Sequence, residues 1–309
     1  MNRALTFNPT GLKQPINRRA MWGLLLLLFP ALLWLGVAYL SSLFALLGQS
    51  IYSLDDFSGT IVYEPTLATF KRLVTEPAHI DIILRTAGMA IVVSIAAAII
   101  AFPLAYYIVF HSSRRERTWL YMSVMAPMWF SYLVKVYGWR VLLAKEGLIY
   151  WCLDKVGLGG VLDALLTLPV IGGATLASSY LGMFMVFVYM WLPFMILPVV
   201  SALERVPQNL RNAAADLGAT PWQAFKDVTL PLAVPGLVAG SIFTFSLTLG
   251  DYIIPQVVGA PGYFIGMMVY VQQGTVGNLP LAAAFSIAPI VLILIYLSIA
   301  KRLGAFDAL

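Results

Sequence analysis

Residues 211–231 read RNAAADLGATPWQAFKDVTLP, a polar, punctuated stretch between two of the most apolar segments of the chain. Its local reading is two short helices. Leu210, Ala213, Ala214 and Leu217 recur at i, i+3, i+4 and i+7, which lays one apolar stripe along a helix opened by Pro207. Gly218 follows where a left-handed residue closes a helix, a backbone conformation that glycine adopts without a Cβ clash. Thr220, Pro221 and Gln223 then match a capping box at the start of a second helix, with Trp222 and Phe225 on its apolar side and Pro231 expected to stop it. The first helix offers alanines rather than leucines, so another backbone can approach it closely. Arg211 and Lys226 are offset by Asp216 and Asp227, too little net basic charge to hold an anionic membrane surface. A protein partner fits this element better than lipid.

Composition sets the solvent on either side of it. Of 309 residues, 61% are hydrophobic and 11% charged, against about 45–50% and about 25% in soluble domains. A bilayer core takes about 20 apolar residues per helix. Six windows qualify: Met21–Leu47, Ile82–Phe110, Trp119–Tyr137, Ala174–Val200, Val234–Val258 and Pro280–Ala300. Unbroken runs such as LLLLLFPALLWL (24–35) exclude the alternation of a membrane β-barrel. The expected fold is an all-α membrane protein of six transmembrane helices, with an N-terminal arm over residues 1–20, a transmembrane domain over 21–302 and a tail over 303–309.

Orientation follows from the basic residues, which stay on the cytoplasmic side. Arg3, Lys13, Arg18 and Arg19, then Arg114, Arg115 and Arg117, then Arg205, Arg211 and Lys226, and finally Lys301 and Arg302 fall on one side. The alternate loops carry only Lys71, Arg72, Arg140, Lys145 and Lys155. Both termini and the loop of residues 204–231 are therefore expected in the cytoplasm. The first window is too long for a signal-peptide core and lacks a small-residue cleavage site, so it is read as an uncleaved span. Cys152 is the single cysteine and has no intrachain disulfide partner. The net charge of +5 is topological and implies no nucleic acid.

Catalytic chemistry has no residues to work with. No lysine directly follows a glycine, His79 and His111 stand alone, and GxSxG is missing, which removes the P-loop, HExxH and serine-hydrolase readings together. The chain is expected to bind no metal and no cofactor of its own and to take its energy from elsewhere.

Asn212-Ala213-Ala214, Gly218 and Val228-Thr229-Leu230-Pro231 keep the spacing of a known cytoplasmic signature: Glu-Ala-Ala, three residues, glycine, nine residues, Ile-x-Leu-Pro. On these residues the chain resembles the permease subunits of binding-protein-dependent ABC importers. The resemblance implies a coupling helix in the 204–231 loop that docks on an ATP-hydrolysing subunit, with Leu210, Asn212, Ala213, Ala214, Asp216, Leu217, Gly218, Leu230 and Pro231 at the contact. It implies two such ATP-binding subunits holding ATP and Mg, a second homologous permease, a periplasmic solute-binding protein, and a place in the bacterial inner membrane. Asn212 departs from the family glutamate and carries no charge for an ionic contact. FSLTLGDYIIPQVVG (245–259), GYFIGMMVYVQQ (262–273), NLPLAAAFSI (278–287) and AFPLAYYIVF (101–110) are similar to the spermidine/putrescine type. Polyamines or a related small cationic amino compound are the implied solute.

The residues offer partial support for a cation. Asp251 falls in the outer third of the fifth window, where a carboxylate costs about 2.5–3.5 kcal/mol at the helix centre and faces an aqueous cavity or a partner. Either it lines the substrate path, or Pro255 ends the helix and Asp251 meets water. Among Trp129, Tyr132, Trp139, Tyr189, Trp191 and Tyr252, the last two are the candidates for cation–π contact along the path; the rest read as interfacial belt or packing. Arg85 and Lys135 read as snorkelling side chains near the outer ends of their spans. Asp55, Asp56, Glu64, Glu76 and Asp81 in the first external loop offer a surface to a binding protein, and GLIYWCLDKVGL (147–158) suits a helix lying on the membrane. The alternative function is a secondary transporter or channel for small organic cations. Inverted repeats or broken midplane helices would mark many such carriers, and the sequence shows neither.

Overall fold

The computed structural model describes residues 18–55, 57–168, 171–259 and 262–302. The arm expected over residues 1–20 lies outside the described residues up to 17, and the tail over 303–309 lies outside them entirely. Cα packing separates residues 1–48 from 49–309. The described part of the first unit is helical throughout, as α1 (Arg18–Leu33), π-helical turns over Trp34–Leu40, and α2 (Ser41–Gln49). Pro30 has no N–H to give Leu26, and the helix widens into π geometry one turn later.

The second unit opens with a minimal hairpin, β1 (Ser53–Leu54) against β2 (Ile61–Val62). It continues with α3 (Ala68–Thr75), α4 (Pro77–Phe110), α5 (Arg114–Trp129), α6 (Tyr132–Leu142), α7 (Leu148–Lys155), α8 (Gly159–Leu166) and α9 (Tyr180–Glu204). Then come α10 (Gln208–Asp216), α11 (Pro221–Ala224), π turns over Phe225–Thr229, α12 (Leu230–Gly250), α13 (Ile253–Val257), α14 (Ile265–Val271), π turns over Gln272–Val276, and α15 (Leu279–Arg302).

Five helices among the described residues are long and apolar enough to cross a bilayer: Leu26–Gln49, Pro77–Phe110, Tyr180–Glu204, Pro221–Gly250 and Leu279–Arg302. The third expected window is not one helix. Pro127 withdraws a hydrogen bond near the end of α5, and Phe130 and Ser131 turn to extended backbone before α6 begins. The two pieces have 16 and 11 residues, each short of the roughly 20 that span a hydrocarbon core. The fifth window also breaks, at Gly250, with Asp251 extended and α13 starting afresh. Helices that break inside an expected window, which the sequence did not reveal, are thus part of this fold.

Pro231 is corrected as well. Instead of stopping the second short helix, it sits in the first turn of α12, and residues 221–250 run as one helical rod. The π turns over Phe225–Thr229 absorb the missing Pro231 donor.

The core lies where α4, α9 and α12 pack against one another. One face of α4 buries Ile82, Thr86, Ala90, Val93, Ala97, Ala101, Ala105 and Ile108, the three-to-four spacing of a helix stripe. Its alanines let α9 come close. From the other side α12 supplies Gly236 and Gly240. A Cβ on Gly236 would sit 2.5 Å from Ala202 Cβ, and one on Gly240 would sit 3.0 Å from the Met195 backbone. Buried hydroxyls tie the layers: Thr244 Oγ1 donates to Ser94 Oγ at 3.1 Å, and Ile265 N–H, an orphan donor at the start of α14, bonds Thr86 Oγ1 at 3.1 Å.

Most of the acids expected to form an external docking surface have local work. Asp55 closes the hairpin turn by accepting from Ser58 Oγ at 2.7 Å and Phe57 N–H at 3.1 Å. Glu76 lies 3.5 Å from Arg72 and 3.1 Å from His79, and Asp81 pairs with Arg85. Glu64 is exposed, and Asp56 lies outside the described residues. The segment 147–158 forms α7, followed closely by α8, and the two are joined by Tyr150 donating to Asp163.

Candidate substrate path and coupling surface

Asp251 is placed by a helix ending. Once α12 stops at Gly250, the Asp251 backbone turns extended (φ −73°, ψ 133°), and its Oδ1 caps α13 by accepting from Ile254 N–H at 2.9 Å. Its Oδ2 accepts from the Tyr132 hydroxyl at the start of α6. Asp251 therefore stands between two helices rather than within one. It is a half-buried carboxylate joining two interrupted helices. Gly266 makes the junction tight, because a Cβ there would come within 2.6 Å of the Gly250 and Asp251 carbonyl oxygens.

Three aromatic side chains, Tyr132, Trp191 and Tyr252, stand beside the carboxylate. Tyr132 stacks on Trp191 with centroids 6.1 Å apart at 18°, and Trp191 meets Phe194 edge-on at 6.0 Å. Tyr252 stacks on Tyr270 at 4.9 Å and 11°. Trp191, Asp251 and Tyr252 line one cavity of about 320 Å³ with Ser246, Leu247, Gly250 and Ile253. The three path candidates of the sequence are therefore brought together. Tyr132 is the member that sequence reasoning assigns to belt or packing; it lies 119 residues from Asp251 in the chain, and no local pattern pairs them. Arg85 pairs with Asp81, lies 5.6 Å from the Tyr180 ring centroid, and lines a separate cavity of about 690 Å³ between α4 and α9.

At the other end of α9, the chain turns through Pro207 into α10. Gly218 has φ +84°; its N–H bonds Ala215 O at 2.9 Å, and Ala219 N–H bonds Ala214 O at 3.0 Å. That pair of bonds is a Schellman closure. Thr220 and Gln223 form the reciprocal capping box, with Thr220 N–H to Gln223 Oε1 at 2.8 Å and Gln223 N–H to Thr220 Oγ1 at 3.3 Å. Leu210, Asn212, Ala213, Asp216, Leu217 and Gly218 are exposed, Ala214 and Leu230 are half-buried, and Pro231 is exposed. Leu217 is 89% and Trp222 68% exposed, so this element turns apolar groups outward.

Its inner side is clamped to α4. The Arg211 guanidinium lies 4.2 Å from the Phe110 ring centroid, and Phe225 packs edge-on against Phe102 at 5.8 Å and Tyr106 at 5.7 Å. Phe102, Tyr106 and Phe110 form an i, i+4, i+8 stripe, and the aromatic spacing in AFPLAYYIVF is the signal that could have found it. Beside the element, Glu204 at the end of α9 accepts from Arg117 and, at 2.7 Å, from Tyr121 of α5.

Four similarities bear on this architecture. The family model described as "Binding-protein-dependent transport system inner membrane component" matches residues 91–305. The chain is 58% identical over 287 residues to the inner membrane ABC transporter permease protein YdcU of Escherichia coli (strain K12), covering 93% of this chain and 91% of that one. It is 26% identical over 267 residues to the spermidine/putrescine transport system permease protein PotB of the same organism, covering 86% and 88%. Among solved structures, a chain of a bacterial alginate ABC transporter, in complex with an alginate pentasaccharide-bound periplasmic protein, superposes with a TM-score of 0.69 at 18% identity, covering 92% of this chain and 96% of that one.

Proposed function

The chain belongs to the family of binding-protein-dependent transport system inner membrane components, and on that premise we propose that it carries polyamines, or a related small cationic amino compound, across the bacterial inner membrane. As a member it is the permease subunit of an ABC importer, resides in the inner membrane and is not itself an enzyme. The alternative of an uncoupled secondary transporter or channel falls with that membership.

The observation that carries the cationic reading is the half-buried Asp251 carboxylate on a cavity shared with Trp191 and Tyr252. An ammonium there meets a full negative charge and ring faces, each worth about 0.5–2 kcal/mol by cation–π attraction. The similarity to PotB supports the same solute class. The pair of long helices α9 and α12 connects this cavity to the coupling loop, since α9 ends at Glu204 and α12 continues from α11.

In this reading the permease works beside a second, homologous permease, two ATP-binding subunits that hold ATP and Mg, and a periplasmic solute-binding protein. Both termini and the 204–231 loop face the cytoplasm. Leu210, Asn212, Ala213, Ala214, Asp216, Leu217 and Gly218 meet the ATPase, while Leu230 and Pro231 join the loop to α12. Closure of the ATPases moves α10, α11 and the π turns after it, which are clamped to α4 through Arg211 and Phe225, and access to the path alternates.

The test is uptake by the assembled complex in liposomes. Asp251→Asn keeps the size and the acceptor that caps α13 but removes the charge, so putrescine flux should fall about tenfold, as for loss of one charged hydrogen bond. Membrane abundance and solute binding to the soluble partner should be unchanged. Equal flux at equal abundance would remove Asp251 from the path, and absence of any polyamine uptake by the parent would remove the solute class.

A further inference from the structure

We propose that Tyr132 belongs to the substrate site, and that its hydroxyl holds on Asp251 the place a substrate ammonium takes, latching the empty path closed. This rests on the reading of Asp251 as a path residue and goes beyond it by naming the group the substrate displaces.

Two interrupted helices meet at this point. The break at Phe130–Ser131 delivers Tyr132 and the break at Gly250 delivers Asp251, and α6 packs on α13. Breaks at membrane depth are tolerated where the freed polar groups are satisfied inside the protein. Here Asp251 serves both: its Oδ1 takes the freed Ile254 N–H of its own break, and its Oδ2 takes the Tyr132 hydroxyl delivered by the other. The two bonds differ in kind. The Ile254 bond is local and survives any movement of α6, whereas the Tyr132 bond is the one that must part if α6 and α13 separate.

Chemistry makes the tyrosine bond the exchangeable one. An empty cavity with a bare carboxylate is costly, and a hydroxyl donor offsets that cost without adding charge. A primary ammonium offers three N–H donors and a full positive charge where Tyr132 offers one neutral O–H, so it displaces the hydroxyl. The released Tyr132 ring remains stacked against Trp191, and the two rings then offer π faces to the cation they have admitted. A solute of equal length with hydroxyl ends in place of ammonium lacks the charge to make this exchange. The latch therefore selects for amines and reports their arrival by freeing α6 from α13.

Tyr132→Phe removes the hydroxyl and keeps the ring. In the complete complex in liposomes, ATP hydrolysis without solute should rise roughly three- to tenfold, the scale of one hydrogen bond to a charged group, and the putrescine concentration for half-maximal uptake should fall by a similar factor. Asp251→Ala breaks the same latch from the other side and should raise solute-free hydrolysis as much, with no further rise in the double variant; 1,4-butanediol should not compete with putrescine in the parent. Unchanged solute-free hydrolysis in both single variants, or additive effects in the double, overturns the latch. If Tyr132→Phe does not accumulate, Asp251→Ala alone decides by the same criterion. A non-additive rise in hydrolysis with no putrescine uptake by the parent leaves the latch standing and overturns the polyamine reading instead.

Discussion

Asn212 stands exposed on α10, where the family signature has glutamate. Its side chain points to no structural role within the described fold, so the substitution is read across an interface. A partner adapted to a neutral amide offers no cation. Asn212→Glu should then leave membrane abundance unchanged and weaken capture of the ATP-binding subunit by up to about tenfold, because a desolvated carboxylate without a counter-ion is costly. Stronger capture in the pull-down would show that the ionic contact of the family is still on offer. Asp251 is the complementary case at this scale. Its position is plain in the sequence, but its two partners, Ile254 and Tyr132, depend on where two helices break.

The element from Pro207 to Leu230 is the part of the fold most fully legible beforehand, because its signals are local. A glycine in the left-handed region, a proline in a first turn and a reciprocal Thr–Gln cap each act over three or four residues, and each is found in place. Pro231 escapes such a reading because proline is compatible with the start of a helix as well as with its end, and the π turns before it decide between them. Leu217 is the sharper probe of docking than any alanine here, being 89% exposed and just before the left-handed turn. Leu217→Asp touches no packing within the chain. It should leave abundance and Tm unchanged while reducing ATPase capture and coupled uptake by at least about tenfold, the scale of losing one buried leucine. Gly218→Pro makes the same point through the backbone, since proline cannot take φ +84°. Normal solute-stimulated ATP hydrolysis in either variant would detach this element from the ATPase.

At the scale of the whole second unit, the seam between α9 and α12 carries the tightest packing among the long helices. Gly236 and Gly240 are spaced four apart, and in both cases the nearest atoms include backbone of α9 that cannot swing aside. Lipid tails supply little hydrophobic drive between helices, so close van der Waals approach of small residues holds such a seam. Gly240→Val should cost about 1–3 kcal/mol through overpacking, seen as a lower Tm and reduced membrane abundance. Gly274, where an added Cβ would meet nothing within 4 Å, is the control site, and its alanine variant should keep both. Equal behaviour of the two variants would show that the seam is looser than its geometry implies.

Sequence by itself determined the membrane class, the helical character of the long apolar segments, the two short helices joined at Gly218 and the family signature. Each of these depends on composition or on intervals of a few residues, and lipid forces backbone groups in long apolar runs to bond within their own helix. Tertiary structure alone decided where the spans break and what the breaks hold. An interrupted helix is stable only if its freed groups find partners, and while Asp251 caps Ile254 locally, other contacts that hold the breaks come from distant segments: Tyr132 reaches Asp251 across 119 residues, and Thr86 takes the Ile265 N–H across 179. Hydropathy is blind to such pairings, because a window of apolar residues has the same score whether its helix runs through or stops at Gly250. The cavity shared by Trp191, Asp251 and Tyr252 lies at one of those stops.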